Sequence, residues 1–202
     1  MFSGSLQQKL KWNETSDHCC WAQRFRKNNV RLGTSRRLWL YFLNADEMEK
    51  GLENKGTTSA HLEAGRLFFK AIERELRSEN SLIIESTLSG NYLKGTIQKF
   101  RKSGYKISIF YTVLETPKQC IERIRDRVAK GGHSIPDDVV VRRFSRSKRN
   151  FWSLYRSLAD NWVAYFNAGE KLECFALGGK SSYDTINSEL LSVFLRVIEE
   201  DE

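Results

Sequence analysis

The 202-residue chain contains no apolar run of the roughly 18–20 residues that a membrane helix needs. Its opening, MFSGSLQQKLKW, lacks the apolar core of a secretory leader, so the expectation is a cytoplasmic protein. The four cysteines (Cys19, Cys20, Cys120 and Cys174) form no CxxC pair and no zinc-ligand spacing, which fits a reducing compartment and gives no metal site. No internal repeat and no low-complexity linker is present. Only two prolines occur, Pro117 and Pro136, and each stands where a helix is expected to open. A composition of 40% hydrophobic, 29% charged and 12% aromatic residues excludes a disordered or collagen-like chain. The length suits one domain with a real core.

A net charge of +8 would suit a nucleic-acid binder, but its distribution argues otherwise. Residues 1–41 hold eight Lys/Arg and two acids, a net +6, and the remaining 161 residues carry only +2. The basicity belongs to one segment, which also holds Trp12, Trp21 and Trp39 and shows neither helical nor strand period.

From Asn44 onward the pattern is clearer. Leu62, Phe69, Ile72 and Leu76 are spaced for one face of a helix over 60–76. SLIIE at 81–85 reads as a buried strand, and 92–102 as a helix ended by Ser103-Gly104. KISIFYTVL at 106–114 is the strongest strand signal. Pro117 opens a helix to about Ala129, with Ile121, Ile124 and Val128 inward. Pro136 opens another, with Val140, Phe144, Phe151 and Leu154 on one side. LECFAL at 172–177 reads as a last strand, and Asp184 as the cap of a final helix carrying Ile186, Leu190, Phe194 and Val197. Strands near 38–44, 82–86, 106–113 and 172–177 alternating with helices predict an α/β fold, a parallel sheet with helices on both faces. Such sheets bind ligands at the C-terminal ends of their strands.

Three polar clusters fall at those ends. Asp46 follows the apolar run Leu38–Leu43 and reads either as an acceptor of a substrate hydroxyl proton or as a helix N-cap. Glu85 ends a wholly apolar strand, where a carboxylate calls for a ligand or a cation. Thr87 and Ser89 are either substrate contacts or caps for the helix at Tyr92. The stretch RIRDRVAKGGHSIPDDVVVRRFSRSKRN carries Arg123, Arg125, Arg127, Arg142, Arg143, Arg146 and Arg149. Arg123/Arg127 and Arg142/Arg146 are each four apart, so each pair shares a helix face. Two such helices joined by GGHSIP would cover something polyanionic, since guanidinium donates a fork of bonds to phosphate and keeps its charge. The alternative is a solvated pair of helices whose charge is balanced by Asp126, Asp137 and Asp138. His133, after two glycines, reads as a turn residue or a nucleotide contact.

ESTLSG at 85–90, NADE at 44–47, AGR at 64–66, SGYKISIFY at 103–111 and above all RIRDRVAKGGHSIPDDVVVRRFSRS at 123–147 resemble the zeta-toxin family of small P-loop kinases. The resemblance spans Phe42 to about Asn167. It implies a kinase of nucleoside-monophosphate-kinase-like fold, dependent on ATP and magnesium, with a small-molecule acceptor; the apolar pattern and the charge distribution argue against a membrane or nucleic-acid partner. Toxin members phosphorylate UDP-N-acetylglucosamine. The resemblance names no antitoxin for this chain. It implies Asp46 as the base, Glu85, Thr87 and Ser89 as substrate contacts, and Arg127 and Arg146 as stabilisers of the transferring phosphoryl charge. Arg123, His133, Arg142 and Arg143 are implied as nucleotide or lid residues.

One departure stands out. The family needs GxxxxGK[ST] after its first strand, to cradle phosphates on backbone N–H groups and place a lysine and a magnesium-binding hydroxyl. Gly4 and Gly33 are the only glycines before Asp46, and 21–29 reads WAQRFRKNN. The first strand and phosphate loop are therefore read as lost or replaced. Reading plausible codons one nucleotide further on turns Asn13-Glu14 into a start codon. The positions of Trp21, Arg24 and Arg26 become glycines, and Lys27-Asn28-Asn29 becomes Lys-Thr-Thr. The expectation is that residues 1–41 are an irregular basic segment translated out of frame and 42–202 are the kinase domain, with weak ATP binding and no catalysis. The alternatives are a non-catalytic, kinase-shaped binding module, or a nucleic-acid binder using the basic segment.

Overall fold

The computed structural model describes residues 21–27, 41–44, 48, 52, 60–78, 80–132, 134–167 and 171–199. Seven strands form one sheet in the order β2-β3-β1-β4-β5-β6-β7. They are β1 (Trp21–Lys27), β2 (Tyr41–Asn44), β3 (Leu82–Ser86), β4 (Tyr105–Val113), β5 (Asn161–Asn167), β6 (Leu172–Gly178) and β7 (Tyr183–Thr185). The helices are α1 (Ala60–Ser78), α2 (Tyr92–Lys102), α3 (Pro117–Ala129), α4 (Asp137–Asn150) and α5 (Ser188–Glu199). A π-helical turn, Phe151–Tyr155, and a last α turn, Arg156–Leu158, extend α4.

β2 and β3 are parallel, as are β4 and β5, and β1 is antiparallel to both β3 and β4. β2, β3, β4 and β5 therefore share one direction, as helical crossovers require. The architecture is a mixed α/β sheet of P-loop-kinase-like type. Two expectations need correction. The strand at 172–177 exists, but β6 runs antiparallel to β5. β5 was not foreseen, and the few residues between Asn167 and Leu172 are too short a link for a parallel crossover. The centre of the sheet is not empty either: β1 fills it, within residues 1–41, which were expected to be irregular. A ladder needs only backbone N–H and C=O groups, so a segment with three cations among WAQRFRK still satisfies the facing edges of β3 and β4.

Register sorts the strand residues by face. Leu43, Leu82, Ile84, Ile107, Ile109, Tyr111, Val113, Trp162, Ala164 and Phe166 share one face and are all buried. On the other face Ile83, Ser108, Phe110, Thr112, Val163 and Tyr165 are half-buried and Phe42 is exposed. The first face receives α2 through Phe100 against Tyr105, and it receives the π turn and α5 through Phe151 and Phe194. Phe151 stacks on Tyr111 at a centroid distance of 3.9 Å, and Phe194 meets Tyr111 edge-on at 5.7 Å.

Several helix faces differ from the sequence reading. α1 buries Ala64, Phe68, Ile72 and Glu75, while Leu62 and Phe69 are exposed. Arg74, Ser78 and Asn80 donate to the Glu75 carboxylate, which is how an acid holds a buried position there. In α3, Cys120 is buried and Val128 is exposed. In the extension of α4, Tyr155 is fully buried and Leu154 only partly. The π turn adds a residue to the helical ring and so rotates the following position inward. Asn187, not Asp184, caps α5, its side-chain oxygen accepting from Leu190 N at 3.1 Å. α3 begins at a complete capping box. Thr116 Oγ1 accepts from Gln119 N, and Gln119 Oε1 accepts from Thr116 N. Thr116→Ala is expected to lower stability by about 1 kcal/mol, read as a lower urea midpoint at unchanged slope. An unchanged midpoint would contradict this.

Candidate functional site

The site is built where β2 and β3 end. Asn44 and Glu85 are register partners on these parallel strands. Asn44 Nδ2 donates to Glu85 Oε2 at 2.8 Å, so the half-buried carboxylate is held in place by its neighbour strand. Asp46 lies two residues beyond Asn44, outside the described residues, as does His133.

The loop after β3 is tightly fixed. Leu88 is fully buried and has φ 52°, a left-handed conformation that a leucine adopts only when its surroundings hold it there. Leu88 N donates to Ser86 Oγ at 3.2 Å, and Ser86 Oγ also lies 2.8 Å from Tyr92 OH. Thr87 Oγ1 and Ser89 Oγ are 2.9 Å apart. Neither caps α2, whose N-cap is Asn91 without a side-chain bond. That removes the capping alternative and leaves both hydroxyls at the loop, beyond Glu85.

Three donors from α4 and its extension grip the same loop from the other side. Ser147 Oγ donates to Thr87 O at 2.7 Å, Asn150 Nδ2 to Leu88 O at 2.7 Å, and Tyr155 OH to Gly90 O at 2.5 Å. Burial, reinforced by nearby Tyr92, pushes the Tyr155 phenol well above its ordinary range, so it stays a donor. None of these three was singled out from sequence. The available signal was uncharged Ser147 and Asn150, three apart in an otherwise arginine-rich helix.

The arginines divide into different roles. Arg123 Nη2 donates to the backbone oxygen and Oδ1 of Asn167, at 3.4 and 3.3 Å, which braces α3 to the end of β5. Arg125 pairs with Asp137 at 2.8 Å across the α3–α4 turn, in solvent, as the solvated-face alternative expected for that residue. Arg127 is half-buried in the last turn of α3, and Gly131 has φ 87°. A Cβ on Gly132 would come within 2.5 Å of Arg127 Cγ, so the second glycine of the turn leaves room for the arginine stem. Arg142 and Arg146 are exposed on α4, and Arg143 is half-buried. Arg146 stands next in sequence to Ser147, which binds the Thr87 carbonyl, so the backbone of α4 that carries Arg146 lies beside the loop.

Lys148, also unforeseen, is fully buried. Its Nζ lies 4.3 Å from the centroid of Phe144, 5.6 Å from Phe194 and 5.9 Å from Phe166, and makes no hydrogen bond among the described residues. Burial pushes its ammonium down to about 8, against the opposing pull of Cys120 and Glu115. Among the described residues no group of three His, Cys, Asp or Glu is placed to hold a metal ion, and no helix is long and apolar enough to cross a membrane.

A mixed sheet whose β2, β3, β4 and β5 run one way, a carboxylate and two hydroxyls at the C-terminal ends of β2 and β3, and an arginine-bearing helix bonded to the same loop define the outline of a P-loop-kinase-like protein. The chain matches the zeta toxin family over residues 21–177 and belongs to it. The match begins at the first residue of β1. A relative from Haemophilus influenzae, described as an uncharacterized protein, is 24% identical over 102 residues, covering 50% of this chain and 73% of the relative. No solved structure matches.

Proposed function

We propose that residues 42–202 are a kinase domain descended from an ATP- and magnesium-dependent phosphotransferase acting on a hydroxyl of a UDP-sugar, and that this chain retains the acceptor side and lacks the phosphate-binding loop. The observation that carries this reading is the acceptor loop itself: Glu85 fixed by Asn44, with Thr87 and Ser89 paired beyond it. Asp46 takes the acceptor proton, Glu85, Thr87 and Ser89 hold the acceptor, and Arg127 and Arg146 stabilise the phosphoryl charge. Arg142, Arg143 and His133 are nucleotide or lid residues. The bond of Arg123 to Asn167 supports a bracing role for that residue. Magnesium–ATP, when bound, would supply the transferable phosphoryl.

The division at residue 41/42 is one of origin. β1 sits in the sheet, yet it runs against β2, β3, β4 and β5, which supports a segment other than the one this sheet was built around. Calorimetric titration with UDP-N-acetylglucosamine tests the acceptor reading. Binding is expected, weakened about ten- to a hundredfold by Glu85→Gln, the scale of a lost charged hydrogen bond. No binding by the unaltered chain, or equal binding by the variant, would sink it.

A further inference from the structure

The three donors that meet the acceptor loop come from one side of one helix. Ser147 and Asn150 are three apart and adjacent on α4. In an uninterrupted α-helix the next residue on that side would be Leu154. The π turn Phe151–Tyr155 inserts one residue, and Tyr155 takes that direction instead. Its hydroxyl reaches Gly90 O, so that the carbonyls of Thr87, Leu88 and Gly90 are all bound by side chains of α4 and its extension. The loop they hold contains a buried leucine at φ 52°, a conformation that reverts unless the chain on either side is fixed. The same helix carries Arg142, Arg143, Arg146 and Arg149.

We infer that Ser147, Asn150 and Tyr155 are positioning residues: they lock the Thr87–Gly90 loop to the arginine helix, so that the acceptor-holding hydroxyls and the cations form one rigid unit before any ligand arrives. The role rests on the acceptor reading above. It differs from core packing in a checkable way. Phe151 on the same turn stacks in the aromatic core, whereas the three donors contribute one polar atom each to backbone carbonyls of a single loop. A preorganised pair of this kind spends no binding energy on ordering, which is the condition for holding acceptor and charge in line.

The test uses the full chain and four variants: Ser147→Ala, Asn150→Ala, Tyr155→Phe and the conservative Ser147→Thr. Native-state amide exchange is followed at residues 86–90 and across β4 and β5, with UDP-N-acetylglucosamine titrated in parallel. Tyr155→Phe keeps the buried ring and removes only the donor. It and Asn150→Ala are expected to speed exchange of the loop amides at least tenfold with β4 and β5 unchanged, and to weaken UDP-N-acetylglucosamine binding by a similar factor. Ser147→Thr is expected to keep both at the wild-type level, and Ser147→Ala to lose both. Loop exchange that is unaltered, or that rises only in step with the whole sheet, overturns the proposal. If the unaltered chain binds no UDP-N-acetylglucosamine, the acceptor reading fails, and the exchange pattern alone then decides whether the lock exists.

Discussion

The 202-residue chain is expected to turn over magnesium–ATP only at background, and a version whose residues 1–42 are replaced by the shifted-frame translation is expected to transfer phosphate. Phosphoryl transfer depends on positioning and charge stabilisation far more than on covalent chemistry by the protein. Losing one well-placed donor to developing charge commonly costs about 10²–10³ in rate. This sequence lacks the whole GxxxxGK[ST] set: the amides, the lysine and the magnesium-binding hydroxyl. Strand direction compounds the loss. Trp21 pairs with Ser86, at the site end of β3, and Phe25 pairs with Leu82, at the opposite end. A chain leaving β1 after Lys27 therefore departs from the end of the sheet remote from Glu85. The arginines of α4 cannot make up for this, because nothing would hold the nucleotide in line with the acceptor. In the restored version Asp46→Ala should abolish transfer while leaving ATP binding intact. Magnesium-dependent turnover by the chain as written, abolished by Asp46→Ala, would overturn this account.

Lys148→Met is expected to raise stability at pH 7 by about 2–3 kcal/mol, which for a domain of this size is about 5–10 °C in melting temperature. The folded-state ammonium titrates near 8 and the unfolded one near 10.5. Below pH 8 the folded protein must carry a buried charge that makes no hydrogen bond, so the penalty is fully present there. As the pH rises from 8 to 10.5 the unfolded chain binds more protons than the folded one, and stability climbs until the penalty is gone. The face of Phe144, 4.3 Å away, offsets only part of the cost. Methionine keeps the length and apolar stem without the charge. Urea denaturation of both proteins at pH 7 and pH 10 checks this: the gap should be wide at pH 7 and mostly closed at pH 10. A methionine variant that is less stable at pH 7 would show that the ammonium is favourably held.

Legibility in the sequence followed how each feature depends on side chains. β3 and α2 could be placed to within a residue because Leu82, Ile83 and Ile84 are continuously apolar and Leu93, Ile97 and Phe100 keep helical spacing. β1 could not, since its place depends on the backbone edges of β3 and β4 and WAQRFRK shows no strand pattern. β5, NWVAYFN, has an unbroken apolar run without alternation, and missing it led to the wrong direction for β6. At the site, Glu85, Thr87, Ser89 and the arginine helices were legible because charge and hydroxyl clusters stand out beside apolar strands. Ser147, Asn150 and Tyr155 were not, because a single inserted residue in a helix decides which side Tyr155 takes. Lys148 had a usable signal: it lies four residues after Phe144 and three before Phe151, on the line of core positions.

The central position of β1 bears on how the molecule holds together as a folding unit. β3 and β4 do not pair with each other; every ladder contact between the β2–β3 half of the sheet and the β4–β7 half passes through β1. Each half has its own parallel pair, and beyond the seam the two are joined by the shared hydrophobic core and by the three bonds from α4 and its extension to the Thr87–Gly90 loop. Fraying of Trp21–Lys27 would then leave the two halves held by those contacts alone, with no ladder between them. Amides on the β1-facing edges of β3 and β4 should exchange together, ahead of those shared by β4 and β5, and the unfolding transition should broaden wherever the seam gives way first.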